Sequence, residues 1–374
     1  MLFEPGQFRM KYYLIAGEAS GDLHGSNLIL GLKAEDPEAQ LRFWGGDKMA
    51  AASGEKPVMH YGDNAVMGLS DVLAKIGGIA RNLEFCKKDI LKWKPDVVIL
   101  IDYPGFNMRI ASFCHKKGIK VFYYIAPKTW ASRAGRDNQL KKWVDRLFIV
   151  FPFEIPYFEK RGVPFIYKGN PLVDAVDSYE FSRPVPENYI ALLPGSRKGE
   201  ISRMMPVCMD VADKLGCRLV IAGAPSRSKA DYEKYIGTRS NVTLLFDRTY
   251  DILKYADAAI INSGTASLEA ALIGTPQVVC WSTSQFTYWA ITRIFRVQDK
   301  IKFISLGNLI LDRQVFRELI QSDFNAAAVY AELERLTQDA RYRQQMIEDY
   351  AEIRSKLGGS GASRAIAKAM IDEL

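Results

Sequence analysis

Short, uninterrupted apolar runs recur along this chain, and each ends in a glycine-, proline- or acid-bearing turn. Tyr12–Ala16 precedes Gly17-Glu18-Ala19-Ser20-Gly21-Asp22, and Val97–Ile101 precedes Asp102-Tyr103-Pro104-Gly105. Tyr189–Leu193 precedes Pro194-Gly195-Ser196-Arg197, and Ala258–Ile261 precedes Asn262-Ser263-Gly264-Thr265. A strand that is apolar at every residue has no wet face. It must be covered on both sides, which is the condition of a parallel sheet between helices. Helix-like segments alternate with such runs from Tyr12 to Tyr167 and again from Tyr189 to about Val279. The expected fold is therefore α/β, with two doubly wound, Rossmann-like domains. Ligands of these sheets bind beyond the carboxyl ends of the strands, so two facing domains would share one cleft.

Segment 170–188 holds Pro171, Pro184 and Pro186 without a sustained period, and it reads as the linker region. The expected division is a first domain over 10–172, a linker over 173–188 and a second domain over 189–355. After Gly307 the pattern reads as helical to the end. Gly358-Gly359-Ser360-Gly361 breaks it, and the tail within 356–374 is expected to pack back on the first domain as a helix. Residues 1–9, which precede Met10 and the first strand pattern, are set aside as an extension.

A chain that is 48% hydrophobic and 25% charged is balanced for a soluble globular protein. No apolar run reaches membrane-spanning length and the N-terminus lacks a secretory pattern, so a cytoplasmic location is expected. The five cysteines form no CxxC pair and the three histidines make no ligand spacing with them. Free thiols and no metal are expected. A net charge of +7 favours anionic partners. Zinc patterns, an RNA-binding sheet signature and long basic runs are all missing, so nucleic acid is a poor partner. An anionic small substrate or an anionic membrane surface fits better.

The turn after Ala258–Ile261 carries the most chemistry. Ser263, Gly264 and Thr265 open a helix whose free amides and positive dipole end suit a phosphate or diphosphate. Glu269, four residues past Thr265, lies one turn on along the same face and suits the two hydroxyls of a ribose. The same pattern also describes an ordinary capped helix closed by Gly274 and Pro276. Arg197, beside Ser196 and Gly195 at the end of another strand, suits a diphosphate that gains charge as it leaves. A surface turn is the competing reading. Asp102 stands where a general base for a sugar hydroxyl belongs, and it also fits a simple helix cap.

A helix is expected from about Leu23 to Lys33, and Ser20, Gly21 and Asp22 before it read as cleft-lining or capping residues. The spacing is not GxGxxG, so a dinucleotide site is not expected. Trp130, Arg133 and Arg136 follow the strand Val121–Ile125 and are candidates for an anionic acceptor, or solvated charge at a helix start. Val66, Met67, Leu69, Val72, Leu73 and Ile76 recur at helical spacing with Arg81, Lys87 and Lys88 following. Such a stripe suits either a membrane interface or a core-facing helix.

AGEASGD at 16–22, IDYPGFN at 101–107, LLPGSR at 192–197, SGTASLEAAL at 263–272 and SLGNL at 305–309 occur in that order. Together they make the chain resemble the lipid-A-disaccharide synthases from Lys11 to at least Arg317. The resemblance implies an inverting, metal-independent glycosyltransferase of the two-domain GT-B fold, without a cofactor. It would transfer 2,3-diacylglucosamine from its UDP donor to the 6-hydroxyl of 2,3-diacylglucosamine 1-phosphate. It implies Asp102 as general base, Arg197 as diphosphate ligand, Ser263-Gly264-Thr265 as the phosphate-binding helix start, Glu269 as ribose ligand and Asn308 as a further donor-site residue. The acyl chains of both substrates give the 66–76 stripe a purpose at the cytoplasmic face of the inner membrane. A second copy of the chain is also allowed as a partner. Asn170, Gly307 and Ser132 stand where the family pattern has histidine, proline and a second tryptophan. The alternative is a UDP-N-acetylglucosamine 2-epimerase-like isomerase of similar fold.

Overall fold

The computed structural model describes residues 9–62, 72–130, 135–289 and 302–374, with side-chain surroundings for all of these except 72–77 and 285–286. Tertiary contacts divide the chain into two compact units, Met1–Asp174 with Ser360–Leu374, and Ala175–Gly359. Helix Pro171–Asp177 runs across the boundary, within the stretch whose prolines suggest a linker.

The first unit holds β1 (Lys11–Ala16), β2 (Gln40–Gly45), β3 (Met59–His60), β4 (Val97–Ile101), β5 (Lys120–Tyr124), β6 (Arg146–Ile149) and β7 (Phe165–Tyr167). They form one sheet in the order β3-β2-β1-β4-β5-β6-β7. Every neighbouring pair is parallel. All five residues of β4 are 0% exposed, which is why that strand carries no polar alternation. The sheet grows outward from β1 to β3, then resumes on the other side of β1 with β4. The carboxyl ends of β1 and β4 therefore flank the switch point, where open α/β sheets leave a crevice.

Polar groups also enter this core. Tyr13 Oη donates to Asp89 at 2.7 Å and accepts from Trp44 Nε1 at 2.9 Å, while Arg42 donates to both Asp89 oxygens at 2.8 and 2.6 Å. The buried carboxylate is thus fully partnered, and these bonds hold it ionised below the usual carboxylate range against the desolvation that would raise it. Helix Ala362–Asp372 lies against helix Ala19–Glu35 at Gly31, where a β-carbon would come 2.8 Å from Ser363 O. Asp174 holds the start of that last helix, accepting Gly361 N at 2.5 Å and Ser363 N at 2.7 Å.

The second unit holds β8 (Tyr189–Leu193), β9 (Arg218–Gly223), β10 (Val242–Phe246), β11 (Ala258–Asn262), β12 (Gln277–Trp281) and β13 (Glu318–Ile320). The order is β10-β9-β8-β11-β12-β13, again all parallel. Its switch point lies between β8 and β11.

Two local expectations change. The first helix begins at Ala19 rather than near Leu23, so Ser20, Gly21 and Asp22 are helical. Gly21 is there for packing, since its β-carbon would sit 3.2 Å from that of Ala16. The region after Gly307 is not helical throughout, because Glu318–Ile320 adds an edge strand too short to display alternation. No described helix is long and apolar enough to cross a membrane. Val66, Met67 and Leu69 lie outside the described residues, as do the side chains of Val72, Leu73 and Ile76.

Candidate functional site

In the first unit the loops after β1 and β4 meet. A β-carbon on Gly17 would lie 2.3 Å from the Tyr103 ring, so only glycine permits that ring to cover the end of β1. Asp102 and Tyr103 both have left-handed backbones, φ 44 and 47. Such residues cost roughly 1–3 kcal/mol each and persist where the surroundings over-determine them. Pro104 then opens helix Pro104–Lys116, its fixed φ suited to a first helical position.

Of the GEASGD residues, Ser20 Oγ donates to Glu18 Oε1 at 3.2 Å. Asp22 is 2% exposed and its carboxylate accepts the N–H groups of Gly46 at 2.7 Å, Lys48 at 3.1 Å and Met49 at 3.1 Å. It caps helix Asp47–Ser53. The cleft-lining expectation for Asp22 is corrected accordingly, because both oxygens are already bonded and turned inward. Gly21 is buried within its helix.

Trp130 stands edge-on to Phe153, ring centroids 5.0 Å apart. Arg133 lies outside the described residues, and Arg136 opens helix Arg136–Trp143. Glu154, which no sequence motif marks, is 2% exposed near Trp130 and accepts Phe151 N at 3.2 Å. Burial pushes its carboxyl up to about 7, against the opposing effect of the Phe151 and Val150 amides, the Trp130 indole and Lys128. Between the ordinary value of 4.5 and about 7 the folded protein keeps a proton that the unfolded chain has released. This group therefore favours folding fully at acid pH, and its contribution is lost as pH rises through that window. Glu154→Gln, measured by urea unfolding at about pH 5 and about pH 8, is expected to remove roughly 2–3 kcal/mol of that decline. An unchanged pH difference would show that Glu154 titrates normally.

In the second unit the loops after β8 and β11 meet in the same manner. Gly195 has φ 97, and a β-carbon there would fall 2.8 Å from Asn262 Nδ2 and 2.5 Å from the Glu200 carboxylate. Glu200 accepts Ser196 N and Arg197 N, both at 3.1 Å, so these amides of the Lys198 helix start are already capped. The Arg197 guanidinium, on a side chain that is 72% exposed, lies 3.1 Å from Glu200 Oε1, and the N–H groups of Lys198 and Gly199 meet no acceptor among the described residues. Ser196 is exposed beside it.

At the end of β11, Ser263 N donates to Cys280 O at 2.9 Å and Ser263 Oγ to Ile304 O at 3.3 Å. Gly264 and Thr265 follow, and their N–H groups meet no acceptor among the described residues. Helix Ala266–Ile273 begins immediately after. Two unsatisfied amides at the positive end of a helix suit phosphate oxygens. Glu269, half-buried in the first turn, accepts Tyr250 Oη at 3.0 Å, and Tyr250 stacks edge-on with Tyr179 at 5.1 Å.

Asn308 is 0% exposed and its amide is used internally. Nδ2 donates to Phe316 O at 3.0 Å and Glu318 Oε1 at 2.9 Å, and Oδ1 accepts Val315 N at 2.8 Å. The Asn308 side chain therefore supports the loop between the SLGN turn and Glu318. Its partner Glu318 escaped the sequence reading. That carboxylate accepts Ile304 N at 3.0 Å, Ser305 N at 3.0 Å and the Ser305 hydroxyl, and so holds the SLGN turn against Ser263. Gly307 is explained by the same packing, since a β-carbon there would press to 2.8 Å on the Phe316 ring. Asn170 is buried, donating to Val150 O and accepting Leu172 N, both at 2.9 Å.

Solved structures of similar fold include a UDP-GlcNAc 2-epimerase from Neisseria meningitidis bound to UDP-GlcNAc, with TM-score 0.69 and 14% identity over 97% of this chain and 100% of that one. A calicheamicin glycosyltransferase matches with TM-score 0.61 and 14% identity, covering 98% of each chain. Two parallel α/β units with glycine-rich turns at both switch points place this protein in the GT-B fold, shared by glycosyltransferases and nucleotide-sugar epimerases. At such identity the likeness speaks for the fold alone and gives the epimerase alternative no advantage. The family model described as lipid-A-disaccharide synthetase matches residues 12–370. A lipid-A-disaccharide synthase of Geobacter metallireducens is 37% identical over 375 residues, 96% of each chain. One of Trichlorobacter lovleyi is 36% identical over 368 residues, 95% of each. The chain belongs to the lipid-A-disaccharide synthase family and is a glycosyltransferase.

Proposed function

We propose that this protein transfers 2,3-diacylglucosamine from UDP-2,3-diacylglucosamine to the 6-hydroxyl of 2,3-diacylglucosamine 1-phosphate, giving the β(1→6) lipid A disaccharide and UDP. The observation that carries this reading is the family match over residues 12–370, which spans both switch points. Asp102 takes the hydroxyl proton while the acceptor oxygen attacks the anomeric carbon from the face opposite UDP. The bond from that carbon to the diphosphate breaks, and its electron pair leaves with UDP. Arg197 and the Gly264 and Thr265 amides take up the charge that develops there. Glu269 accepts the ribose hydroxyls, with Tyr250 holding its other side. One displacement inverts the anomeric centre and needs no covalent intermediate.

Mass spectrometry of purified protein in detergent with both substrates tests the reading. A tetraacyl disaccharide phosphate plus UDP is expected, undiminished by a metal chelator. UDP-sugar binding without disaccharide would point instead to an epimerase.

Glu269→Ala removes a charged acceptor, and hydrogen bonds to charged groups contribute about 1.5–3 kcal/mol. UDP binding by calorimetry is expected to weaken by roughly 10- to 100-fold. An unaltered affinity would take Glu269 out of the ribose site.

An anionic membrane surface at the cytoplasmic face completes the proposal. It is supported by the net charge of +7 and by the acylated substrates. Co-sedimentation with anionic vesicles tests it, and protein left in the supernatant would speak against it.

A further inference from the structure

Asp102 is held through its backbone as well as by its place after β4. Its N–H donates to Tyr124 O at 3.0 Å. Its carbonyl accepts Tyr123 Oη at 2.6 Å and Asn107 Nδ2 at 2.9 Å. The two peptide planes that meet at the Asp102 α-carbon are therefore both clamped, and the side chain leaves that carbon in a defined direction.

Both clamping side chains are 0% exposed, so neither touches a ligand. The Asn107 amide can point only one way. Nδ2 faces the carbonyls of Ile15 at 3.3 Å and Ile101 at 3.2 Å as well as that of Asp102, and an oxygen in its place would set acceptors against one another. Tyr123 stays a donor, since burial first and the Asp102 charge second keep its phenol protonated. Its hydroxyl bonds nothing else among the described residues. The clamp also bears on the left-handed turn at Asp102 and Tyr103, which residues with β-carbons rarely adopt unassisted.

We propose that Tyr123 and Asn107 are positioning residues for the transfer reaction, holding the Asp102 carbonyl so that the carboxylate stays aimed at the acceptor hydroxyl. The inference rests on Asp102 being the general base. Tyr123 comes from β5 and Asn107 from the helix after the turn, so the clamp joins two elements on either side of the base.

Tyr123→Phe deletes one oxygen from a buried ring and leaves the ring in place. Misplacing a reacting group by even an ångström costs up to about 100-fold, so kcat is expected to fall by about 10- to 100-fold. KM for both substrates and UDP affinity are expected to stay at the parental values. Asn107→Ser, which withdraws the second donor, is expected to give the same kcat-only loss and serves as an independent reading. The decisive comparison adds Asp102→Asn, with single-turnover rates measured by mass spectrometry. Tyr123→Phe is expected to leave the residual rate of the Asp102→Asn protein unchanged, because the group it orients is already gone. An equal fold-loss in that background would overturn the positioning role and leave the base intact. Parental kcat in both the Tyr123→Phe and Asn107→Ser proteins, even with a lowered melting temperature, would overturn it too and reduce the clamp to a structural feature. Parental kcat in Asp102→Asn itself would overturn the base and the clamp together.

Discussion

Asp102→Asn is expected to lower kcat by about 10²–10⁴-fold, the range that a positioned general base contributes. The amide keeps the size of the side chain and cannot accept the hydroxyl proton. UDP affinity is expected to remain at the parental value, since Arg197, Gly264, Thr265 and Glu269 belong to the other compact unit. Folding should be preserved as well, because the backbone of Asp102, rather than its carboxylate, receives Tyr123 and Asn107. The measurement is kcat against pH, with calorimetry for UDP alongside. A parental rate with an unchanged profile would remove Asp102 from the role.

Arg197→Ala is expected to reduce kcat by about 10²–10³-fold, comparable to the loss of one preorganised donor to a developing oxyanion. Glu200 already occupies the amides of Ser196 and Arg197, so at these two residues it is the exposed guanidinium that can meet phosphate oxygens. Stability should barely change, because an ion pair at 72% side-chain exposure contributes only about 0–1 kcal/mol. Arg197→Lys keeps the charge but loses the planar fork, and an intermediate rate is expected. Steady-state kinetics with the UDP donor decides the matter, and an unaltered kcat would take Arg197 out of the diphosphate site.

The fold was legible where burial is symmetrical. β4, β8 and β11 are covered on both faces, so their apolar runs are continuous and end where the chain turns toward a helix. β13, at three residues on an edge, has no such signature. Ala19-Ser20-Gly21-Asp22 reads as a loop by composition, whereas it opens the first helix and Gly21 serves close packing on Ala16. Family membership was legible from five ordered motifs, four of which lie at a strand-to-helix turn.

Carboxylates were harder to sort. Asp22, Asp102, Glu200, Glu269 and Glu318 all lie near strand ends or helix starts, and sequence alone offers little to separate them. The structure separates them by partner. Asp22 is consumed by three amides of the segment 46–49, Glu200 by the amides beside it, and Glu318 by the turn at 304–308. Asn308, legible as a motif residue, is buried under that same Glu318.

The sequence by itself determined which stretches must be buried strands and which turns carry residues fit for phosphate, ribose and proton transfer. Local hydrophobicity and local turn chemistry suffice for that. Only the tertiary structure decided that the turns after β1 and β4, and those after β8 and β11, stand side by side at the two switch points. It also decided which polar groups there are already bonded. Strand order and hydrogen-bond partners are made by residues far apart in the chain, such as Asp102 with Tyr123 or Asn308 with Glu318, and nothing in a local pattern encodes which distant group will arrive.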